Sequence, residues 1–482
     1  MNKSTGRLVS LLGGITLSVL MLWLNPFGLS WQAVKVLAIA TLMITWWITQ
    51  ALPMPVVALL PLVLFPLMDI STMEAAAQPY ANPIIFLFMG GFMIALAIEK
   101  WQLHKRAALT IIQLTGTSGN RIVLGFILAT GLLSMWLSNT ATTMMMYPIA
   151  LSVIKVMEDK SSKQGNVKNL GICLLLAIAY ASNFGGIATI IGTPPNVAYV
   201  AYLQKSSGYT FAFADWLKIC LPLSVLLLMA LYFVMVKVLY PNNLADDSNA
   251  RKMINNELKL LGKLSNAEKR VLAIFIATAI LWITKDLLNA AQSTVKLNDS
   301  IIALLGGILM FLIPSGEEEN KPILEWDDTK NLAWGILILF GGGISLATQL
   351  EGAGLIQSLG EWIAGYATGG IMLVLIVTLV SIFISEVMSN VAQVIVFAPV
   401  IASLAAALHI NPLQLGLAMT LGASCAGMLP MGTPPNAIVF ASGRLKLKHM
   451  TGTGFIMNIV SAVLITLFCW YLVPVLVAAV VH

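Results

Sequence analysis

Two polar motifs, each present twice, interrupt an otherwise apolar chain. Ser138-Asn139-Thr140 and Gly192-Thr193-Pro194-Pro195-Asn196 lie in the first half, and Ser389-Asn390-Val391 and Gly432-Thr433-Pro434-Pro435-Asn436 in the second. Hydroxyl and amide oxygens suit a hard cation such as Na⁺, following the oxygen preference of other hard ions. Asn139 and Thr140 also offer neutral donors to carboxylate oxygens. Proline lacks an amide hydrogen, clashes with the preceding helical turn and pulls the residue before it out of helical geometry. Each Gly-Thr-Pro-Pro string is therefore expected to break its helix. A break frees carbonyls for a cation at the end of one half-helix and amides for an anion at the start of the next. None of the four stretches contains Lys, Arg or His. An anion bound there must rely on helix ends, neutral donors and a nearby cation, and that dependence is the physical basis of symport.

The elements that carry these motifs belong in a membrane. Hydrophobic residues make up 58% of the 482 and charged residues 10%, far below the roughly 25% charge of soluble chains. Spans of the required length are expected near 8–25, 33–51, 54–68, 83–99, 168–203, 213–240, 267–288, 299–313, 333–350, 412–443 and 452–480, giving eleven crossings. The segments near 121–156 and 371–408 each hold a Ser-Asn pair at the centre and a proline (Pro148, Pro399) nine residues after the Asn. They read as re-entrant hairpins. Ser134 and Ser138, four residues apart, are expected on one helical face. The run after Lys3 and Arg7 reads as a first span, since no small-residue cleavage site follows it.

With the N-terminus in the cytoplasm and the C-terminus outside, 22 of the 27 Lys and Arg residues fall on the inner side; Lys35, Lys205, Lys218, Lys285 and Lys296 are the exceptions. The formal charge of +6 thus orients the chain, and no nucleic-acid partner is expected. The halves repeat. Ser134, Ser138, Asn139 and Pro148 recur 251 residues later as Ser385, Ser389, Asn390 and Pro399, whereas the Gly-Thr-Pro-Pro-Asn strings are 240 apart. The eleven extra residues of the first half fall in the polar stretch from Glu158 to Lys168. The span at 83–99 runs inward and its partner at 333–350 outward, so the repeat is inverted, an arrangement that puts a substrate site near the midplane. The expected division is 1–115 scaffold helices, 116–241 first transport half, 242–266 cytoplasmic linker, 267–369 second scaffold helices and 370–482 second transport half. The expected fold is an all-α polytopic membrane protein with eleven transmembrane helices, two re-entrant hairpins and helices broken at the midplane.

The paired motifs resemble those of the divalent anion:sodium symporter family, whose members carry dicarboxylates, citrate or sulfate. The run from Ser424 to Val439 is similar to the family signature, with Gly427 where an aromatic is usual. The resemblance covers essentially the whole chain. It implies a homodimer in the lipid bilayer in which a transport domain moves, elevator-like, against a scaffold. It also implies one Na⁺ on Ser134, Ser138, Asn139 and the Gly192 carbonyl, and a second on Ser385, Ser389, Asn390 and the Gly432 carbonyl. Substrate carboxylates would meet Asn139, Thr140, Thr193, Pro194, Asn390, Thr433 and Pro434. The departure is Val391, which lacks the hydroxyl expected at that position; Gln393, two residues on, is the candidate to replace it.

The reading is therefore Na⁺-coupled uptake of a small divalent anion, foremost a C4-dicarboxylate such as succinate, malate or fumarate, across a bacterial inner membrane. Na⁺ is the co-transported ion and no prosthetic group is expected. The alternatives are a Na⁺-independent dicarboxylate exchanger, or a sulfate or tricarboxylate carrier of the same fold. A channel is disfavoured by the inverted repeat with broken helices. An enzyme is not expected: His104, His409, His449 and His482 sit in no motif, and Gly116-Thr117-Ser118-Gly119 reads as a turn. Cys173, Cys220, Cys425 and Cys469 read as core residues. Glu317-Glu318-Glu319 and Asp246-Asp247 read as an acidic loop and a linker pair. Glu386, an intramembrane acid whose repeat counterpart is Met135, is left with two roles: bonding backbone groups of its hairpin, or ion coupling.

Overall fold

The computed structural model describes residues 3–158, 164–207, 211–242, 244–292, 294–317, 321–366 and 369–480. Lys160, Lys163, Glu318, Glu319 and His482 lie outside them. Among the described residues there is no strand, and the chain is a succession of helices. The first half runs α1 (Lys3–Leu24), α2 (Trp31–Thr49), the short α3 (Met54–Val57), α4 (Leu60–Leu67) and α5 (Met73–Ala77), then α6 (Pro83–Lys100), α7 (Leu103–Thr115), α8 (Gly119–Ser134), α9 (Asn139–Glu158), α10 (Gln164–Gly186), α11 (Pro194–Ser207) and α12 (Phe213–Phe233). After α13 (Ser248–Leu260) come α14 (Asn266–Ala291), α15 (Asp299–Leu312), α16 (Trp334–Gly352), α17 (Leu355–Ala364), α18 (Ile371–Ser385), α19 (Asn390–Ala407), α20 (Pro412–Ala423), α21 (Pro434–Phe440), α22 (Leu447–Leu467) and α23 (Val473–Val480).

The helix pairs α6/α16, α8/α18, α9/α19 and α10–α11/α20–α21 carry the repeat. By length and composition, ten helices among the described residues can cross a membrane. They do not match the eleven expected spans one for one. The region 54–68 is cut into α3 and α4 by Pro53, Pro55, Pro61 and Pro66. The span at 299–313 is a fourteen-residue helix, and 412–443 is divided between α20 and α21. In their place the second arms of both hairpins, α9 and α19, reach spanning length.

Four helices fall where no element was expected: the short α5 and three longer ones. Amphipathic α7 and α17 lie between the first span of each repeat and its hairpin. The polar linker contains α13, capped by Asp247, whose carboxylate accepts from the amides of Asn249 and Ala250. Asp246 pairs with Arg121 at 3.9 Å, so the Asp-Asp dipeptide has structural work beyond a linker. Gly116 adopts φ +98° and Ser118 stands at the N-cap position of α8 in extended geometry, without a side-chain bond to the helix, in keeping with a turn at 116–119. The four cysteines are free and buried.

Two groups of helices emerge from the packing. In one, α6 lies along α15, with α14, α16 and α2 beside them. The approach is close: a β-carbon on Gly90 would stand 2.3 Å from the carbonyl carbon of Ala303. In the other, each hairpin packs on the first half of its broken helix, α8 and α9 on α10, α18 and α19 on α20. The arms touch each other less than they touch that helix. This second group is stitched across the repeat by α10 and α9 against α21, and by α11 against α19 and α20.

Candidate functional site

In the first half, α10 stops at Gly186 and α11 resumes at Pro194. Asn196 holds the intervening loop: its Nδ2 donates to the carbonyls of Gly186 (3.2 Å), Ile187 (3.4 Å) and Thr189 (2.8 Å). The Thr189 hydroxyl donates to the Met135 carbonyl at 2.5 Å and accepts from the Gly192 amide at 3.0 Å, tying the loop to the tip of the hairpin. Small residues permit the close fit. A β-carbon on Gly186 would stand 2.5 Å from Asn139 Oδ1 and 3.1 Å from the Gly192 carbonyl oxygen. One on Gly192 would stand 2.5 Å from the Gly186 carbonyl oxygen and 3.0 Å from that of Ser134. Four oxygens, those of Ser134, Gly186, Gly192 and the Asn139 side chain, therefore crowd one small region. Such a cluster of neutral oxygens suits a hard cation.

Ser134 and Ser138 do not share a helical face. The helix α8 ends at Ser134 and Ser138 lies on the tip, where its hydroxyl accepts from the Ala141 amide at 3.2 Å. Ser134 reaches the cluster through the fold of the hairpin, donating to Asn139 Oδ1 at 2.7 Å.

The second half repeats this plan. Ser385 donates to Asn390 Oδ1 at 2.8 Å, and Asn436 Nδ2 donates to the carbonyls of Ala426 (3.2 Å) and Leu429 (3.1 Å). The difference is Glu386, only 3% exposed. Its Oε1 accepts from the amides of Gly427 and Met428 and from Asn458 Nδ2, all at 2.8 Å, and its Oε2 from the Leu429 amide at 2.9 Å. The partners belong to the helix break and to α22, not to the hairpin that was expected to receive this acid. Gly432 lies beside it: a β-carbon there would stand 2.9 Å from Glu386 Oε2. Gln393 does not replace the missing hydroxyl. It is buried, with its amide nitrogen Nε2 donating to the carbonyl (2.9 Å) and hydroxyl (2.7 Å) of Ser381 on the other hairpin arm. Gly427 has no room for an aromatic, because Tyr180 occupies that space: its ring lies 3.0 Å from where a β-carbon would stand, and its hydroxyl donates to the Gly427 carbonyl at 2.8 Å.

The two halves meet at Asn183 of α10, which is 2% exposed. It accepts from Asn139 Nδ2 at 3.4 Å and donates to the Thr433 hydroxyl at 3.2 Å. Asn183, Thr189 and Asn458 are the participants that motif reading missed, and each is a polar residue inside an apolar run, which is itself a signal; Asn196 and Asn436 close the two motifs but were given no role there. Ser138, Thr140, Gly192 and Pro194 face a cavity of about 210 Å³, closed on its far wall by Phe92, Leu96, Glu99 and the segment Asn331–Ala333. Thr193 and Thr433 are buried, Ser389, Asn390 and Val391 half-buried, and Pro434 exposed. Among the described residues, no cluster of His, Cys, Asp and Glu could hold a metal ion.

This arrangement has relatives. The family described as the sodium:sulfate symporter transmembrane region matches residues 6–478. The chain is 40% identical over 479 residues to the sodium-dependent dicarboxylate transporter SdcS of Staphylococcus aureus (strain MRSA252), covering 98% of this chain and 92% of that protein. It is 41% identical over 484 residues to SdcS of Staphylococcus saprophyticus, covering 98% and 93%. Among solved structures, the Alcanivorax borkumensis YdaH transporter aligns with a TM-score of 0.54 at 14% identity, over 84% of this chain and 87% of that one. Neisseria gonorrhoeae MtrF aligns at 0.55 and 13%, over 85% and 84%. At such identities these two share the fold alone. The match along nearly the whole chain makes the identification direct: this multi-pass membrane protein belongs to the sodium:sulfate symporter family.

Proposed function

We propose that this chain couples Na⁺ entry to uptake of a C4-dicarboxylate. The observation that carries the reading is the crowding of neutral oxygens from Ser134, Asn139, Gly186 and Gly192 at a helix break, beside a cavity lined by Thr140 and Pro194. One Na⁺ is assigned to Ser134, Ser138, Asn139 and the Gly192 carbonyl, and a second to Ser385, Ser389, Asn390 and the Gly432 carbonyl. The dianion is assigned to Asn139, Thr140, Thr193, Pro194, Asn390, Thr433 and Pro434. Fourteen-residue α11 directs its N-terminal dipole at this space. The relatives named for sodium-dependent dicarboxylate transport favour the same cargo.

We assign the N-terminus to the cytoplasm and the C-terminus to the outside from the basic excess, and the ion pairs fit the division of charged residues between two faces. Lys100–Asp328, Lys105–Glu257, Arg106–Glu268, Arg121–Asp246, Lys330–Asp327 and Arg444–Glu158 each join residues assigned to the inner face. Lys218–Asp215 and Lys285–Asp299 join residues assigned to the outer face. On this orientation Glu99 and Asn331, which line the cavity, lie at its inner end. The two packing groups fit a scaffold (1–115 and 267–369, each part ending in an amphipathic helix, α7 or α17) and a transport domain (116–241 and 370–482), with the 242–266 linker between the halves, and we assign them to an elevator motion in a homodimer of a bacterial inner membrane.

The test is binding to purified protein. Succinate, malate, fumarate, citrate and sulfate are titrated in Na⁺ and again in K⁺ at equal ionic strength. A C4-dicarboxylate is expected to bind about tenfold or more tightly in Na⁺, within the usual range of coupling between sites. If no anion binds more tightly in Na⁺, the coupling is refuted. The Val391 position gives a second measurement. Val391→Thr restores one neutral donor, worth roughly 0.5–1.5 kcal/mol, and is expected to change the ranking within the same panel by several-fold. An unchanged ranking removes Val391 from the substrate site.

A further inference from the structure

Three side chains form a continuous line from the first cation cluster to the opposite half of the substrate site. Asn139 Oδ1 accepts from Ser134 and lies among the carbonyls at the Gly186–Gly192 break. This leaves Asn139 Nδ2 to donate, and it donates to Asn183 Oδ1 at 3.4 Å. Asn183 Nδ2 then donates to Thr433 Oγ1 at 3.2 Å. Thr433 Oγ1 also accepts from the Asn436 amide at 3.4 Å. A hydroxyl has two lone pairs and one proton. With both lone pairs engaged, the Thr433 proton is left to donate outward.

We infer that Asn183 is a positioning residue that couples the first cation to the anion across the repeat, through a hydrogen-bond chain of fixed polarity. The inference rests on the site assigned above. A cation on Asn139 Oδ1 draws electron density from the amide and sharpens its Nδ2–H as a donor. Each donor in the chain then polarises the next, so the cation at one end strengthens the Thr433 O–H that meets a carboxylate at the other. Asn183 touches neither ion. Its repeat counterpart, 240 residues on, is Ala423, so the second cation has no matching chain and the coupling is one-sided. Burial of Asn183 within α10 shields the chain from water, which would otherwise compete for every link.

The experiment measures the succinate Kd of the purified full-length protein at a low and a high Na⁺ concentration, with K⁺ making up the ionic strength. The ratio of the two values reports coupling. Asn183→Ala is expected to lower that ratio roughly two- to tenfold, the equivalent of one hydrogen bond, whatever happens to either Kd alone. A residue that only packs α10 shifts both values together and leaves the ratio intact; that result overturns the chain. Asn183→Asp is the second variant, of nearly the same shape. It accepts from Asn139 but cannot donate to Thr433, so it is expected to tighten Na⁺ and weaken succinate. Movement of both affinities in the same direction overturns the polarity. A ratio of one in the unmodified protein instead sinks the proposed function together with the chain, so the two failures are distinguishable.

Discussion

Asn139→Ala is expected to abolish Na⁺-dependent uptake in proteoliposomes while leaving a folded, monodisperse protein. The side chain has two jobs at once. Its Oδ1 accepts the Ser134 proton and adds an oxygen to the carbonyls at the first helix break, and its Nδ2 bonds Asn183. Alanine removes the ligand and leaves a hole in which the remaining oxygens repel one another without a cation to hold them. Loss of one oriented group at such a site lowers metal affinity about 10- to 100-fold, and transport falls further because the anion then meets an incompletely charged site. Asn390→Ala, which removes the acceptor of the matching Ser385 bond, is expected to do the same. Uptake at wild-type rate with wild-type Na⁺ dependence in either variant would exclude that residue from the site. The folded state should survive because both asparagines are only half-buried and their loss leaves no buried charge.

A different outcome is expected for Glu386→Gln. The native carboxylate satisfies three backbone amides and the Asn458 side chain. Glutamine keeps one acceptor and turns an NH₂ group towards donors that already point inward. Hydrogen bonds to a charged group contribute about 1.5–3 kcal/mol each, and an unmet buried donor costs about 1–3 kcal/mol. The damage falls on the segment 427–429, which shapes the break before Gly432. The variant is therefore expected to melt at a clearly lower temperature in detergent, with and without Na⁺, and to lose uptake. If Glu386→Gln melts like the unmodified protein and changes only the Na⁺ requirement, the acid serves the ion and not the backbone. Thermal unfolding with and without Na⁺ separates the two roles that the sequence leaves open.

Legibility in the sequence followed the physics of each signal. The helix breaks were readable because Gly-Thr-Pro-Pro cannot continue a helix, and the repeat because asparagine and proline recur at a constant offset. The amphipathic α7 was hidden by His104, Lys105 and Arg106, which read as a charged loop until their neighbours are seen to pack; α13 was hidden the same way inside a polar run. The placing of Ser134 and Ser138 on one face failed because i, i+4 reasoning assumes an unbroken helix, whereas the chain turns between them. Gln393 was the natural substitute for a lost hydroxyl by distance along the chain, but its position on α19 points it back to Ser381. Asn183 gave only a short polar pair with Ser182 in an apolar stretch. Its meaning lies in partners 44 and 250 residues away, which no local pattern can supply.

The unequal halves bear on the cargo itself. In the proposed site Thr140 stands on one side and Val391, which has no hydroxyl, on the other. A molecule such as succinate has identical ends in water, but it has a head and a tail once seated here. The end towards Val391 finds one donor fewer than the end towards Thr140 and is the more weakly held of the two. In the proposed site two chemically equal carboxylates thereby become unequal, and the dianion has one preferred way round.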